Sequence, residues 1–472
     1  MAKKLMGNGK MQDILKSIDK DLVEEASKQP TKPKRVLRIR RRCVVLISLT
    51  ILIMGVVGGI KLSLSWGSLN IGHSTEDEIL AASYPKGYSF EDYDAKFAIR
   101  EENEVRSDTL EAINQFTYNS ASILLNKQNT NQMYSPISLY YALALAVKGA
   151  NGKTKQEMLG ALCVAEQGDI GAEAGKLYRL LYTKNEIGQL QIANSLWLGK
   201  SFQGKAVTYQ NSFIEEVKDD FYASLYSVDY QDSSTGDAMK KWVEENTNGT
   251  LEYEYQPEND QLLTILNTIY YYDEWTDRFD TTETKMDSFT KEDHDVITMD
   301  FMNREEVSAS FSRGNGFTRS SLGLKNGGEM IFILPDAGVT VGELTENADL
   351  LQEVFTGGTS KSGRVTWKIP KFRYNSSFDL NEMLQQLGVE KAFGEEADFS
   401  GITTTPSFIS KVRQDTHIAI DEKGVEASAY TEISYCGSAM PEDEADMILD
   451  RPFIYGIEKD GVLLFMGTFY GE

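Results

Sequence analysis

A chain of 472 residues, 41% hydrophobic and 25% charged, is long enough to bury one large core or several small ones. Its net charge of −23 is unevenly divided: residues 1–66 carry fourteen Lys and Arg against five Asp and Glu, and residues 67–472 carry thirty-four against sixty-six. A body this acidic repels nucleic-acid phosphates, and the three histidines, His73, His294 and His417, form no HExxH motif, so neither nucleic acid, a metal nor another cofactor is expected.

Residues 1–42 read as a cytoplasmic polar tail, in which residues 11–26 place Ile14, Leu15, Ile18 and Leu22 on one side of a helix. The run from Cys43 to Ile60 carries no charge and is about as long as a short bilayer span. Lys32, Lys34, Arg35, Arg38, Arg40, Arg41 and Arg42 precede it, with Trp66 just beyond. The positive-inside rule then predicts a single-pass membrane anchor over residues 43–65, with everything after it extracellular. A cleaved signal peptide is the rival, although its charged leader is normally much shorter and no small-x-small site follows cleanly. Residues 66–106, polar and weakly periodic, predict a linker. From 107 to 472 no break is long enough to divide the chain, which predicts one external domain.

Within that domain Asp108 to Leu125 has helical spacing. Ser135 and Pro136 then form a helix start, cap followed by first turn, and Leu139 to Val147 is apolar nearly all round, which predicts a helix buried in the middle of the molecule. Gly152-Lys153-Thr154 has the ending of a phosphate loop, but Val147 stands where the first glycine belongs. There is no nucleophile elbow either, so no enzyme is expected. Cys163, in an apolar stretch, predicts a packed core thiol. Strand-like runs cover 192–198, 263–272, 330–334, 364–369 and 462–469. Helices interleaved with strands that gather toward the C-terminus predict a mixed α+β domain.

The most informative stretch is 421–433. Period two puts Val425, Ala427, Ala429, Thr431 and Ile433 on one face, and Glu426, Ser428, Tyr430 and Glu432 on the other. That is a strand with one side buried. Yet small residues crowd it, and 434–441 reads as an exposed loop around Gly437 and Pro441. A segment written as both strand and loop points to two resting places. It resembles the reactive-centre loop hinge of the serpins, inhibitors that trap proteases by inserting this loop into their own central sheet.

The resemblance extends over about 365 residues in family order. It includes Met133 to Ser138, Gly149 to Thr154, Asn194 to Leu198 (similar to an edge of the main sheet), Leu266 to Tyr272 with Trp275 and Phe279, and Phe332 to Asp336. Ile369 to Phe372, Ala397 to Ile402, Arg451 to Ile454 and Leu464 to Gly467 complete it. It implies a serpin fold with a large central β-sheet, further sheets, surrounding helices and a mobile loop. It also implies a suicide-substrate inhibitor of serine proteases, with cysteine proteases as another target class, acting as a monomer. With the anchor, a bacterial cell-surface member is expected.

The family register, counted from Glu422, implies cleavage between Ser438 and Ala439, with Tyr435-Cys436 and Met440-Pro441 as alternatives. Small Ser and Ala beside the bond point to an elastase-like target. Glu422, Gly424, Val425, Glu426, Ala427, Ser428, Ala429, Tyr430 and Thr431 would form the loop hinge. Ser135, Ser138, Asn267, Trp275 and Gln414 would gate the sheet. Gln414 stands where the family commonly has a His that bonds the buried Asn represented by Asn267, and a Gln can keep that bond. The alternative is a non-inhibitory serpin acting as a surface binding or chaperone-like protein. That class carries charged or bulky inward residues at the hinge, which this chain lacks.

Overall fold

The structure, a computed structural model, describes residues 77–126, 129–165, 169–251, 261–425 and 443–471. These lie in one unit spanning 75–472. In chain order the helices are α1 (Tyr93–Glu102), α2 (Ser107–Leu125), α3 (Pro136–Gly149), α4 (Gly152–Ala161), α5 (Ile170–Leu181), α6 (Asn211–Phe221), α7 (Ser234–Asn246), α8 (Val341–Leu344), α9 (Ala348–Thr356) and α10 (Asn381–Gln386). α3 starts as its sequence demands: Ser135 has extended backbone, its hydroxyl accepts the Ser138 N–H, and Pro136 fills the first turn. With no polar stripe to turn toward water, α3 is buried on nearly every side. At α4 the Gly152-Lys153-Thr154 segment serves packing, because the Thr154 hydroxyl accepts the Asp398 N–H at 2.9 Å.

The first half of the chain supplies strands β1 (Asp77–Leu80), β2 (Gln132–Tyr134), β3 (Gly188–Gly199), β4 (Ala223–Val228) and β5 (Leu263–Glu274). Then come β6 (Val296–Gly314), β7 (Phe317–Gly323), β8 (Gly328–Pro335), β9 (Thr359–Pro370), β10 (Phe372–Asp379), β11 (Arg413–Ile420), β12 (Gly424–Val425), β13 (Glu444–Ile448), β14 (Phe453–Lys459) and β15 (Val462–Phe469). The main sheet has the order β1-β4-β3-β5-β12-β11-β10, with the short strand Thr183–Lys184 also paired to β3, and a second sheet has the order β13-β9-β6-β7-β8-β14-β15-β2, with Lys285–Thr290 also paired to β6. Periodicity explains where each strand sits. β15 is apolar at almost every position and buried throughout, as an interior strand must be. β5 alternates: Ile269 and Tyr271 pack on the main core, whereas Leu266 joins Trp197 and the α7 residue Trp242 in a separate cluster. The result is the expected α+β arrangement.

Several expectations need correction. The stretch read as a linker, 66–106, is structured from Asp77 onward: β1 pairs antiparallel with β4, and α1 follows. Its polarity misled the reading, because a strand at the sheet edge and a one-sided surface helix need few apolar residues. For the same reason β3 is interior, since β4 and β1 lie outside it. Cys163 is free and only half-buried. The single-pass membrane placement is also corrected: among the described residues no helix is long and apolar enough to cross a membrane. α2 has the length, at 19 residues, but carries Asn114, Gln115, Asn119 and Ser120, while the apolar α3 has only 14 residues. The expected span, 43–65, lies outside the described residues.

Candidate functional site

β11 ends at Ile420, and the chain turns through Asp421, Glu422 and Lys423 into β12. Asp421 builds the turn: its N–H donates to the Gly424 carbonyl at 3.1 Å, and its Oδ1 accepts from the Lys423 N–H at 2.8 Å. Each of the three turn carbonyls is also tied to the segment after β5. The Trp275 indole N–H donates to Asp421, the Trp275 backbone N–H to Lys423 and the Phe279 N–H to Glu422, all at 2.9 Å. Trp275 is fully buried and meets the Phe279 ring edge-on. The Glu422 carboxylate accepts from the Thr284 hydroxyl at 2.8 Å and from Lys371 Nζ at 2.9 Å. Burial opposes its charge, but the Lys371 ammonium and the Thr284 hydroxyl outweigh it, so the carboxyl lies below the usual range.

The two residues of β12 are seated between two long strands. Val425 pairs with Asp273 of β5 and with Ile420 of β11, and its side chain is buried. Gly424 pairs with Glu274, and a Cβ there would lie 2.2 Å from the Asp273 carbonyl oxygen. Only a glycine fits. Beyond this pair β5 runs on to Leu263 and β11 runs on to Arg413, and no ladder among the described residues joins them. The sheet is bridged at one end by β12, and below it β5 and β11 share no ladder among the described residues.

Beneath the open part, the first turn of α3 reaches both flanking strands. The Ser138 hydroxyl donates to Asn267 Oδ1, and Asn267 Nδ2 donates to Asn194 Oδ1 of β3 at 2.7 Å. Gln414 of β11 bonds the Ser135 backbone twice, accepting its N–H at 2.8 Å and donating to its carbonyl at 2.9 Å. The Ser135 hydroxyl donates to the Leu464 carbonyl at 2.8 Å. The expected bond between Gln414 and Asn267 is therefore absent. An amide matches a peptide group in both donor and acceptor, and Gln414 uses both on Ser135.

The sequence-predicted residues thus form two groups. Glu422, Gly424, Val425 and Trp275 meet at the turn into β12. Ser135, Ser138, Asn267 and Gln414 meet under the opening, where Trp275 does not join them: it lies eight residues beyond Asn267, roughly 26 Å along an extended strand. Glu426, Ala427, Ser428, Ala429, Tyr430, Thr431, Ser438 and Ala439 lie outside the described residues. Sequence reasoning missed Asn194, Thr284, Lys371 and Asp273. Lys371 and Asn194 stand in stretches that carried the resemblance, whereas Thr284 and Asp273 gave no signal. Among the described residues no cluster of His, Cys, Asp and Glu could hold a metal ion.

A family model described as serpin (serine protease inhibitor) matches residues 111–471. Serpin-Z2A of Triticum aestivum is 29% identical over 373 residues, which is 74% of this chain and 92% of that protein. An uncharacterized serpin-like protein of Thermococcus kodakarensis is 30% identical over 373 residues, 75% of this chain and 84% of that one. Relatives from a cereal and an archaeon lend no support to a bacterial origin. Among solved structures, Serpin48 of the insect Tenebrio molitor superposes with a TM-score of 0.68 at 26% identity, covering 77% of this chain and 98% of that one. Thyroxine-binding globulin in complex with thyroxine shares the fold, with a TM-score of 0.65 at 23% identity over 76% of this chain and 98% of that one.

Proposed function

The chain belongs to the serpin family of protease inhibitors, and we propose that it inhibits an elastase-like serine protease as a suicide substrate, trapping the acyl-enzyme by inserting its loop into the main sheet. The observation that carries this reading is the seated pair Gly424–Val425, already laddered to β5 and β11 at the head of an opening that both strands continue to flank. On insertion, the same antiparallel register continued downward would set Ala427 between Tyr271 and Ile418, Ala429 between Ile269 and Thr416, and Thr431 between Asn267 and Gln414. Small side chains suit those places, because Tyr271, Thr416 and Ile418 are already buried beside them.

The chemistry is the target's. Its serine attacks the carbonyl of Ser438, the amine of Ala439 leaves, and an ester links enzyme to loop. Insertion gives about a dozen residues ladder partners on both sides, a gain on the order of 10 kcal/mol at ~1 kcal/mol per bond. It also carries the attached enzyme roughly 40 Å at ~3.3 Å per residue. A gain of that size is comparable with the whole stability of a domain and is enough to pull an oxyanion hole out of shape. When hydrolysis outruns insertion, the chain is merely cleaved.

Mixing the protein with an elastase-like protease tests the reading. The expected product is an SDS-resistant adduct at the summed mass. Val425→Arg is expected to abolish the adduct while leaving cleavage intact, because a side chain that long cannot be seated in the buried place that Val425 fills between Asp273 and Ile420. Cleavage near Ser438 without adduct in the wild type would support the non-inhibitory alternative, and undiminished adduct in the variant would remove Val425 from the hinge.

A further inference from the structure

The carboxylate of Asp273 is shut in beneath the hinge. The residue is 1% exposed, and it faces Val425 on one side and Gly188 of β3 on the other. Its Oδ1 accepts from the Glu274 N–H and from Asn326 Nδ2, both at 2.9 Å. Its Oδ2 accepts from the Asn326 N–H at 3.1 Å and from the Tyr271 hydroxyl at 3.4 Å. The Asn326 bonds fasten the end of β5 to the turn between β7 and β8, next to where the Trp275 N–H holds the Lys423 carbonyl. Among the described residues no ion pair neutralises it: the buried Lys459 donates instead to the Thr183 hydroxyl at 2.7 Å and acts on Asp273 only through space.

We infer that Asp273 is a positioning residue for loop insertion: its carboxylate sets how readily this end of the sheet opens, more readily when ionised and less readily when protonated. The inference rests on the insertion reading above but adds a residue and a condition to it. A buried carboxylate held by hydrogen bonds alone costs the closed corner free energy that is recovered once water enters. Burial pushes the Asp273 carboxyl up to about 6, against the opposing pull of its Asn326 bonds, of Lys459 and of the Glu274 N–H. In an opened corner the group returns toward its ordinary value of 3.8. The closed form therefore takes up the proton first, and its advantage grows as pH falls through about 6 and is lost as pH rises through it.

Other charges around this corner are accounted for. Glu274 is paired with Arg278 and Lys325, each at 2.7 Å, and Asp460 with Arg100 at 2.6 Å. Lys96 of α1, Tyr88 and Tyr271 also face the group, and burial pushes both tyrosines upward, away from this range.

Hydrogen exchange at the amides of Trp275, Gly424 and Val425 in the full chain, corrected for intrinsic pH dependence, reads the opening directly and involves no protease. From pH 7.5 to 5.5 protection is expected to rise about fourfold, and about tenfold by pH 5.0. Asp273→Asn, whose amide takes up no proton in this range, is expected to flatten the profile. A flat wild-type profile, or an Asn variant that keeps the wild-type slope, overturns the inference. The wild-type profile stands as a test even where the variant fails to fold. A positive exchange profile with no protease adduct would sink the inhibitor reading alone, and adduct formation with a flat profile would sink only the role of Asp273.

Discussion

Gly424 has no room for a side chain. The Asp273 carbonyl and the Glu274 Cα would lie 2.2 and 2.8 Å from its Cβ, and backbone atoms cannot rotate away as the tip of a side chain can. Gly424→Ala must therefore push β12 off β5, breaking the pair that starts the ladder. The expected cost is about 1–3 kcal/mol in the intact protein, read by thermal unfolding, together with lost exchange protection at Val425. An unchanged melt with an unchanged Val425 amide would mean that β12 accepts a methyl group without leaving β5. The sequence offered this glycine only as part of a hinge motif; the close approach that requires it comes from Asp273, 151 positions earlier. Asp273 itself was illegible for the same reason. A charged residue at a strand end reads as solvent-facing, and only the fold brings Asn326 and Gly188 over it. Glu422 was legible as a position but not as an ion pair, since Lys371 is far away along the chain.

At the scale of elements, α3 is the part that both halves of the opening share. Its first turn sends Ser138 to Asn267 on β5 and offers the Ser135 backbone to Gln414 on β11. The start of this helix was readable, because a cap, a proline and an apolar run are local signals. Its partners were not. Gln414 is 279 positions from Ser135, and family analogy assigned its bond to the wrong residue. Asn267→Ala separates the two arms. It leaves the Ser138 hydroxyl and Asn194 Oδ1 without their partner in a buried place, at an expected cost of about 1–3 kcal/mol, while the Gln414 bonds persist. Intact protein is expected to melt a few degrees lower, with exchange at Ser138 faster and at Ser135 unaltered. Equal loss at both amides would show that the turn yields as one unit, against the two-armed arrangement.

For the whole molecule, the decisive quantity is the difference between two sheets made from one sequence. In the intact form the main sheet is bridged at one end by β12 alone, and the flanking strands β5 and β11 are not laddered to each other among the described residues. The proposed cleaved form completes that sheet, trading loop bonds to water for ladder bonds on both sides. With a gain on the order of 10 kcal/mol and roughly 1 °C per kcal/mol for a domain of this size, melting should rise by about 10 °C or more after a single cut near Ser438. Ordinary nicking works the other way, since a break in a loop adds chain freedom to the unfolded state and removes nothing from it. Calorimetry of intact and clipped protein at pH 7 separates the two cases by sign. A rise means the fold holds back free energy that cleavage releases. Equal or lower melting means the opening between β5 and β11 stores none, and a loop that gains nothing by entering the sheet has no force with which to hold a protease.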